Sequence, residues 1–344
     1  MEVTDPAIGV DVENYLAIGG KPFGNCAILG ANGMLSSYLL NFISEVNASY
    51  GEKSQVLGFT RSNKNNFIKR LETRSNIKIF RLSDLESILE LQNVHILHAA
   101  SPSSLSDLKK NKHALIESNI NLTTKIHSLL EKTGGHLTFF SSGEVYGHNA
   151  IIPTKETDYS PFDHLSVDGY YAETKKFTEM LNQIWSDQTN LPVSILRIFH
   201  TFGPGIRRSD NRIFSSAIFG LLDSNRITLN SNGLATRTFM YTADLASAIS
   251  VTSKVNGFQV FNVGGDEEIT ILDFARLISD FDQNCKVVLS DLTSDQNLSN
   301  NKIKRGHADT LKLRNLGWKP NVTISEAVKS TIRSAKWREE NGIH

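Results

Sequence analysis

The chain has 344 residues, of which 40% are hydrophobic and 21% charged, a composition typical of globular proteins. This length accommodates two lobes, or one large α/β unit with a smaller appendage. Lysine plus arginine number 36, and aspartate plus glutamate also number 36, so no net positive field would hold the protein on nucleic acid or an anionic membrane. Any anion that this protein binds must be held by local groups.

The sequence contains no run of the roughly 20 apolar residues that a membrane span needs. Its first residues, MEVTDPAIGVDVENY, lack the basic start and the apolar stretch of a signal peptide. We therefore expect a cytoplasmic protein that binds neither membrane nor nucleic acid. Two cysteines, Cys26 and Cys285, cannot form a disulfide framework, and we expect both thiols to be reduced.

Residues 1–24 show no periodic apolar pattern and are interrupted by glycine and proline, which predicts a leader or arm packed on the surface. Beyond them, short apolar runs alternate with helical stretches. Because parallel strands need a crossover and a helix usually supplies it, this alternation predicts a parallel sheet. The six predicted strands cover residues 25–30, 55–60, 77–80, 94–97, 136–140 and 193–196.

A glycine-rich segment, GANG from Gly30, follows the first predicted strand and precedes a helix predicted for residues 35–42. Glycines at such a turn let the backbone approach a pyrophosphate, and the helix N-terminus offers unpaired N–H groups with a partial positive charge. We therefore predict a dinucleotide site here, with a plain turn as the alternative. Ser36 stands at the third position, where a glycine is usual. The predicted contacts are Gly30, Asn32, Gly33, Met34 and Leu35.

These patterns predict a Rossmann-type, doubly wound parallel α/β sheet with a smaller, partly interleaved C-terminal lobe. Residues 25–200 would form the dinucleotide-binding domain, with a return segment at about residues 237–262. After the GPG turn at Gly203 the elements become shorter, so residues 201–344 would form mainly the substrate-binding lobe.

The second predicted strand ends at Thr60, and the residues after it include Arg61 and Lys64 but no carboxylate. A carboxylate there would accept hydrogen bonds from the adenosine ribose of NAD, whereas a guanidinium can neutralise the 2′-phosphate of NADP. The predicted cofactor is NAD or NADP, with NADP slightly favoured; a solvated basic loop is the alternative for Arg61. Asp84 with Leu85 is a candidate for the adenine edge, and Asp84 fits equally well as a helix N-cap.

A strand-end serine and a tyrosine–lysine pair form the candidate catalytic group. Ser142 follows the fifth predicted strand, and Tyr171 and Lys175 lie on a helical stretch. A four-residue spacing places tyrosine and lysine on one helix face, where the ammonium can stabilise a phenolate and lower the pKa of the tyrosine. Such a pair is common by chance, but chance rarely adds the serine and the glycine loop in the same order.

Eight segments carry a family resemblance: GANGMLSS from Gly30, HAAS from His98, SSGEVYG from Ser141, YAETK from Tyr171, LRIFHTFGPG from Leu196, TRTFMYTAD from Thr236, FNVGG from Phe261 and ADTLKLRNLGWKP from Ala308. With them, the sequence resembles the extended short-chain dehydrogenase/reductase family, specifically its nucleotide-sugar epimerases, dehydratases and decarboxylases. The resemblance covers about residues 25–336. It implies nucleotide-sugar metabolism, as in polysaccharide biosynthesis, and dinucleotide contacts at Ala99, Ala100 and Ser101. It also implies a homodimer formed by the helix after Asn121 and the helix that bears Tyr171.

The resemblance assigns roles to the catalytic candidates. Tyr171 would remove the proton of the sugar C4 hydroxyl while the C4 hydride passes to the nicotinamide. Lys175 would bind the nicotinamide ribose and tune the tyrosine, and Ser142 would hydrogen-bond to the C4 oxygen. Glu144 matches an acidic residue that related decarboxylases and dehydratases use once C4 is a ketone, with a simple loop glutamate as the alternative. Dehydratases usually carry Asp-Glu here, so Gly143 favours decarboxylation or epimerisation.

The later half contains the candidate substrate contacts. By resemblance, Arg237 would bind the substrate diphosphate, and Arg305 is a second candidate, since a guanidinium offers paired donors. An exposed arginine is the alternative at each position. His200 stands where many relatives have asparagine, so its contact with the sugar departs from the family pattern.

No metal-binding pattern is evident in the sequence, and we expect no metal. His95 and His98 are three residues apart on a predicted strand, so their side chains point to opposite faces and cannot share an ion. We expect His98 to pack beside the cofactor.

Three functions are compatible with these residues. The first is transient C4 oxidation of a nucleoside-diphosphate sugar by an NAD(P)-dependent enzyme, with 4-epimerase or decarboxylase favoured over 4,6-dehydratase. The second is an NADPH-dependent reductase of a keto-sugar nucleotide, with Tyr171 as proton donor. The third is a non-catalytic dinucleotide-sensing module, which the intact set of Ser142, Tyr171 and Lys175 opposes. The nucleotide base and the sugar do not follow from the sequence.

Overall fold

The computed structural model describes residues 5–51, 53–102, 111–147, 151–159, 163–290 and 305–343. Its strands, in chain order, are β1 Cys26–Leu29, β2 Val56–Thr60, β3 Ile77–Arg81, β4 Val94–His98, β5 Gly135–Ser142, β6 Val193–Ile198, β7 Thr201–Phe202, β8 Arg226–Leu229, β9 Thr236–Thr238, β10 Met240–Tyr241, β11 Phe258–Val263, β12 Glu268–Thr270, β13 Lys286–Leu289 and β14 Arg305–Gly306. Seven of them form a central parallel sheet in the order β11-β6-β5-β4-β1-β2-β3. All six predicted strands are present in it, which confirms the parallel α/β sheet.

Helices cover both faces of this sheet. They are α1 Pro6–Ala17, α2 Met34–Ser49, α3 Asn66–Leu71, α4 His113–Leu115, α5 Leu122–Thr133, α6 Val167–Thr189, α7 Ile213–Ser224, α8 Thr242–Thr252, α9 Ile271–Ser279, α10 Leu311–Arg314 and α11 Ile324–Glu340. Residues Leu82–Glu90 and Gly143–Tyr146 are 3₁₀-helical, and Ile116–Asn121 is π-helical.

The apolar runs form strands because they are buried on both faces. Every residue of β1 is buried. Cys26 and Ile28 belong to one core cluster, which includes residues of α1, α2 and α8, whereas Ala27 and Leu29 belong to another that includes residues of α5. A strand that contacts helices on both sides reads as a continuous apolar run, which made these strands predictable.

The strand order reverses beside β1. The chain adds β2 and β3 on one side of β1 and then returns to place β4 on its other side. In an open parallel sheet, ligands bind at the carboxyl ends of the strands where the order reverses. The carboxyl ends of β1, β4, β5 and β6 therefore define the place at which a site is expected.

The later part of the chain forms a smaller lobe with its own core. Its strands pair as β7 with β10, β9 with β12 and β14, and β8 with β13. Phe202, Phe214, Phe239 and Phe274 contact one another in the centre of this lobe. Between these short strands, α8 and β11 return to the central sheet.

The N-terminal segment differs from the predicted surface arm. It contains α1, which begins after Asp5 as N-cap with Pro6 in its first turn. One face of α1, including Ile8 and Val12, is buried in the main core. Ile8, Val12 and Tyr15 do follow the i, i+4, i+7 spacing of a helix face, but the segment is short and interrupted by Gly9, so the helix was missed.

Among the described residues, no helix combines the length and the apolar character required to cross a membrane.

A buried carboxyl group attaches α1 to both lobes. Asp11 accepts hydrogen bonds from the hydroxyls of Tyr38 at 2.9 Å and Tyr241 at 2.8 Å. Burial raises the pKa of Asp11 to about 7, the two tyrosines oppose this shift, and the charges of Asp5 and Asp244 add to it. The protein therefore favours the protonated form of Asp11 below neutral pH.

This pKa predicts a pH-dependent stability. Because the folded-state pKa of Asp11 lies above its unfolded value, the stability it contributes is complete below about pH 4 and is lost as pH rises through 7. Asp11→Asn should remove the loss of stability that ionisation of Asp11 causes. The melting temperature of the variant should therefore fall less than that of the wild type between pH 5 and 8. Glu13→Gln, an exposed change on the same helix, should keep the wild-type profile. Parallel profiles for Asp11→Asn and wild type would contradict the prediction.

Candidate active site

The glycine turn follows β1 directly and is shaped by a close backbone approach. Gly30 has a φ of +88°, and a Cβ on it would lie 2.9 Å from the carbonyl oxygen of Ala99 and 3.0 Å from the Cα of Ala100. Gly33 is the N-cap of α2, and its N–H donates to the carbonyl of Gly30 at 2.7 Å. The turn thus leaves a cradle that side chains would fill, beside a helix N-terminus, and these features fit a dinucleotide pyrophosphate.

Asn32 connects the glycine turn to the end of the second strand. Its side-chain amide donates to the hydroxyls of Thr60 and Ser62 at 2.8 Å, and its carbonyl oxygen accepts from the backbone N–H of Asn65 at 3.1 Å. Asn32 therefore holds the two loops together.

A cavity of about 310 Å³ opens at the carboxyl ends of the central strands. Gly33, Met34, Leu35, Ala99 and Ser101 line it from the predicted cofactor set. Ser142, Glu144, Tyr171, Lys175 and His200 line it from the predicted catalytic and substrate sets. The fold thus gathers these residues from five separate segments.

Other predicted cofactor residues lie outside this lining. Arg61 is exposed, and its carbonyl accepts from the Arg81 guanidinium at 3.4 Å. Asp84 is exposed and has non-helical φ and ψ at a kink within the 3₁₀ segment, so its N-cap alternative also stays open. Leu85 is buried in the core cluster of Ala27 and Leu29. The proposed adenine contacts of Asp84 and Leu85 stay predictions.

The three catalytic candidates meet in the cavity. Ser142 ends β5, its Oγ accepts from the N–H of Glu144 at 3.2 Å, and it lines the cavity together with Tyr171. Lys175 lies one turn after Tyr171 on α6 and is only 2% exposed. Its ammonium donates to the carbonyl of Phe140 at 2.7 Å and lies 5.8 Å from the centre of the Tyr171 ring.

The pKa values differ from the expectation that the lysine lowers that of the tyrosine. Burial raises the pKa of Tyr171 to about 12; the nearby Ser142 hydroxyl opposes this shift and the charge of Glu144 adds to it. Burial lowers the pKa of Lys175 to about 7, against the charge of Glu179. In this structure the ammonium donates to a backbone carbonyl, and Lys175 is not among the groups that shift the pKa of Tyr171. The tyrosine is therefore protonated and able to donate, and its ionisation requires positive charge from elsewhere.

Acidic and basic groups face each other at the cavity wall. Burial lowers the pKa of Arg237, and the charge of Glu144 opposes this shift. Arg237 donates to its neighbouring carbonyl, Thr236, at 2.7 Å and approaches Gly306. Arg237 is thus close enough to Glu144 for their charges to interact, although it is not part of the lining. The backbone of Arg305 lies in β14, and its side chain lies outside the described part of the chain.

His200 is neutral and strained. Burial, followed by the charges of Arg237 and Arg212, lowers its pKa to about 3. Its φ is +20°, an uncommon value for a residue with a side chain, and such values concentrate at functional sites. His200 can therefore offer a neutral ring to a ligand in the cavity.

Several lining residues had no role assigned from the sequence. Arg212 precedes α7, and its Nε donates to both carboxylate oxygens of Asp210 at 3.0 Å. Its charge lowers the pKa values of Tyr171 and His200. Arg212 follows an aperiodic loop, so no sequence pattern marked it, whereas Tyr146 lies within the SSGEVYG motif and could have been found there.

A buried ionic network supports the catalytic helix. Glu179, one turn after Lys175, accepts from Arg197 Nη2 at 2.6 Å. Arg197 also donates to the hydroxyl of Tyr146 at 2.8 Å, and that hydroxyl donates to Asn262 at 2.7 Å. The network joins α6 to β6, β11 and the turn after β5.

The two strand histidines are packed in the core. His95 contacts Thr138 at 2.8 Å, and the ring of His98 lies against that of Phe139, 5.2 Å between centres. Burial lowers the pKa of His98 to about 3. Within the described ranges, no group of three or more histidine, cysteine, aspartate or glutamate side chains is arranged to hold a metal.

Residues 26–264 match a family model described as the NAD dependent epimerase/dehydratase family. UDP-glucuronic acid decarboxylase 1 of Xenopus tropicalis is 28% identical over 251 residues, 72% of this chain and 58% of the relative. The chain thus spans less than two thirds of that relative. UDP-glucuronic acid decarboxylase 3 of Arabidopsis thaliana is 26% identical over 90% of this chain and 88% of its own length.

Solved structures share the fold. UDP-glucose 4-epimerase of Thermotoga maritima has a TM-score of 0.74 at 20% identity and covers 91% of this chain and 98% of its own. UDP-glucuronic acid 4-epimerase of Bacillus cereus, in complex with UDP-glucuronic acid and NAD, has a TM-score of 0.71 at 22% identity, with 91% and 99% covered. These similarities confirm the Rossmann-type fold.

The network predicts that Glu179 tunes Lys175. Because the charge of Glu179 raises the pKa of Lys175, Glu179→Gln should move that pKa below about 7 while keeping an oxygen acceptor for Arg197. NMR titration of lysines labelled at Cε, assigned with Lys175→Met, measures the shift. Glu173→Gln, which removes a partner of Lys176 on the same helix, should leave the pKa unchanged. An unchanged or higher value in Glu179→Gln would contradict the prediction.

Proposed function

Because the chain belongs to the NAD dependent epimerase/dehydratase family, we propose that it transiently oxidises C4 of a nucleoside-diphosphate sugar. Family membership confirms the resemblance to nucleotide-sugar epimerases, dehydratases and decarboxylases. The observation that carries the proposal is that Tyr171 and Ser142 line one cavity together, with the buried Lys175 one turn away from the tyrosine.

Tyr171 and Ser142 are the proton-handling groups. When bound, an oxidised dinucleotide supplies a hydride acceptor and a positive charge that favours the phenolate. Tyr171 then takes the proton of the C4 hydroxyl, and Ser142 donates to the C4 oxygen. When the ketone is reduced again, Tyr171 returns the proton. Lys175 is the proposed ribose contact.

We propose a UDP-hexuronate as the sugar nucleotide, and decarboxylation as the reaction, with 4-epimerisation second. Related proteins are named UDP-glucuronic acid decarboxylases. With a ketone at C4, the carboxylate on C5 is placed β to a carbonyl. The C5–C6 bond breaks, its electron pair forms an enolate on the C4 oxygen, carbon dioxide leaves, and C5 takes up a proton. Glu144 is the proposed donor of this proton.

Two arginines are the proposed contacts of the nucleotide diphosphate. Arg237 is our proposed diphosphate contact, and Arg305 the second. Gly143 in place of the acidic residue usual in dehydratases supports decarboxylation or epimerisation over dehydration. The dinucleotide is proposed to be NAD or NADP; related structures contain NAD.

Incubation with UDP-glucuronic acid tests this function. We expect release of carbon dioxide and a UDP-pentose, identified by mass spectrometry, without net consumption of dinucleotide. Tyr171→Phe should lower turnover by about 10²–10⁴-fold while retaining dinucleotide binding. Tyr170→Phe, on the adjacent residue of the same helix, is the matched control and should keep full turnover.

Other outcomes would redirect the assignment. A UDP-galacturonic acid product would identify the 4-epimerase. Stoichiometric loss of reduced dinucleotide with a 4-keto sugar nucleotide would identify the reductase. Full turnover in Tyr171→Phe would refute the C4 mechanism itself.

We also propose that two copies associate through α6. Phe177, Met180 and Ile184 form an exposed apolar stripe on this helix, with exposures of 44%, 46% and 48%. Three such side chains at helical spacing favour burial against a second helix surface.

Met180→Asp should therefore shift the light-scattering mass from two chains to one chain of 38.2 kDa, because a carboxylate cannot be buried in an apolar interface without a partner. Leu311→Asp, at an exposed apolar residue in the C-terminal half, should leave the mass unchanged. A wild-type mass of one chain would contradict the dimer.

A further inference from the structure

A second cavity, of about 470 Å³, adjoins the same glycine turn. It shares no lining residue with the catalytic cavity, although Asn32 and Ser37 on its wall flank the segment from Gly33 to Ser36 that lines the other. The rest of its wall comes from the loop after β7, from α7, from α11 and the residues after it, and from the segment after β2. It lies where the glycine turn, the end of β2 and the C-terminal helix meet.

Three arginines line this cavity: Arg207, Arg208 and Arg338. They differ in their carboxylate partners. Arg208 is paired with both Asp223 and Glu339. In the described ranges, Arg207 has no carboxylate within ion-pair distance, and its guanidinium donates to the backbone carbonyl of Asn32. Four further N–H groups of Arg207 are available to an anion.

Arg338 adds a second, deeper positive charge. Its side chain is nine-tenths buried, its Nε pairs with Asp5 at 3.0 Å, and its guanidinium lies 3.9 Å from the ring centre of Phe67. Its Nη2 is buried and has no hydrogen-bond partner among the described residues. The charge of Arg207 adds to the burial that lowers the pKa of Arg338. Two guanidinium groups that repel each other across a cavity are stabilised by an anion between them.

The position of the cavity identifies the anion. In this fold the residues just after β2 face the 2′ position of the adenosine ribose, where a carboxylate selects NAD and an arginine accommodates the NADP phosphate. Ser62, two residues after β2, lines the cavity and accepts a hydrogen bond from the side-chain amide of Asn32. The sequence pointed to Arg61 and Lys64 here. In the structure Lys64 is paired with Glu72 at 2.6 Å, and Arg61 lines neither cavity.

We propose that this cavity binds a phosphate monoester, the 2′-phosphate of NADP, and that Arg207 is the guanidinium that contacts it. Arg338 contributes the second positive charge. The inference rests on the dinucleotide site of the proposed function, but it does not depend on the sugar or the reaction. Because Arg207 also donates to the carbonyl of Asn32, the same arginine contacts both the phosphate and the glycine turn.

Calorimetric binding of 2′,5′-ADP and 5′-AMP to the full chain tests the proposal without turnover. We expect the wild type to bind 2′,5′-ADP at least about 10-fold more tightly, the effect of one charge-assisted contact. Arg207→Ala should abolish this preference and leave 5′-AMP affinity within about twofold. Arg208→Ala, the neighbouring arginine with two carboxylate partners, and Arg61→Ala should both keep the preference.

Each other outcome overturns the assignment. Equal affinity of the wild type for both nucleotides would show that no 2′-phosphate is recognised. A preference that survives Arg207→Ala and disappears in Arg61→Ala would place the phosphate on Arg61. Inorganic phosphate that binds through Arg207 without any preference for 2′,5′-ADP would identify a free-anion site. Failure of both nucleotides to bind would refute the dinucleotide site itself, and with it the proposed function.

Discussion

The buried ion pair between Glu179 and Arg197 is the constraint on which the catalytic end of this protein depends. Leaving either charge unpaired in the core would cost about 3–5 kcal/mol, so helix α6 and strand β6 are held in one relative position. Tyr171, Lys175 and Glu179 follow one another at single-turn intervals on that helix. Because Glu179 is fixed, Tyr171 is held against the end of β5, next to Ser142.

The same network determines how charge is distributed in the cavity. Burial lowers the pKa of Lys175 to about 7, and the charge of Glu179, which is itself paired with Arg197, opposes this shift. The ammonium turns to the carbonyl of Phe140 and leaves Tyr171 protonated. The pKa of Tyr171 therefore depends on the charge of the bound ligand, because a cation in the cavity favours the phenolate.

The two lobes are joined by contacts at the start and the end of the chain. Asp5 pairs with Arg338 of the last helix, and Asp11 bridges tyrosines of α2 and β10. Arg207, from the loop that begins the smaller lobe, binds the glycine turn of the larger one. The cofactor turn is therefore supported from both lobes, and the smaller lobe supplies the three arginines of the cavity beside it.

The sequence by itself determined the strands of the parallel sheet, the glycine turn and the helix with its tyrosine and lysine. These features depend on local rules: apolar runs for doubly buried strands, the absence of a Cβ at Gly30, and the four-residue repeat of a helix face. Only the tertiary structure revealed the helix at Pro6–Ala17, whose short apolar face is interrupted by Gly9 in the sequence, and the contributions of Arg207 and Arg212. The tertiary structure also determined the direction of the pKa shifts. Burial and long-range charge pairing depend on which segments meet, and no local pattern encodes that.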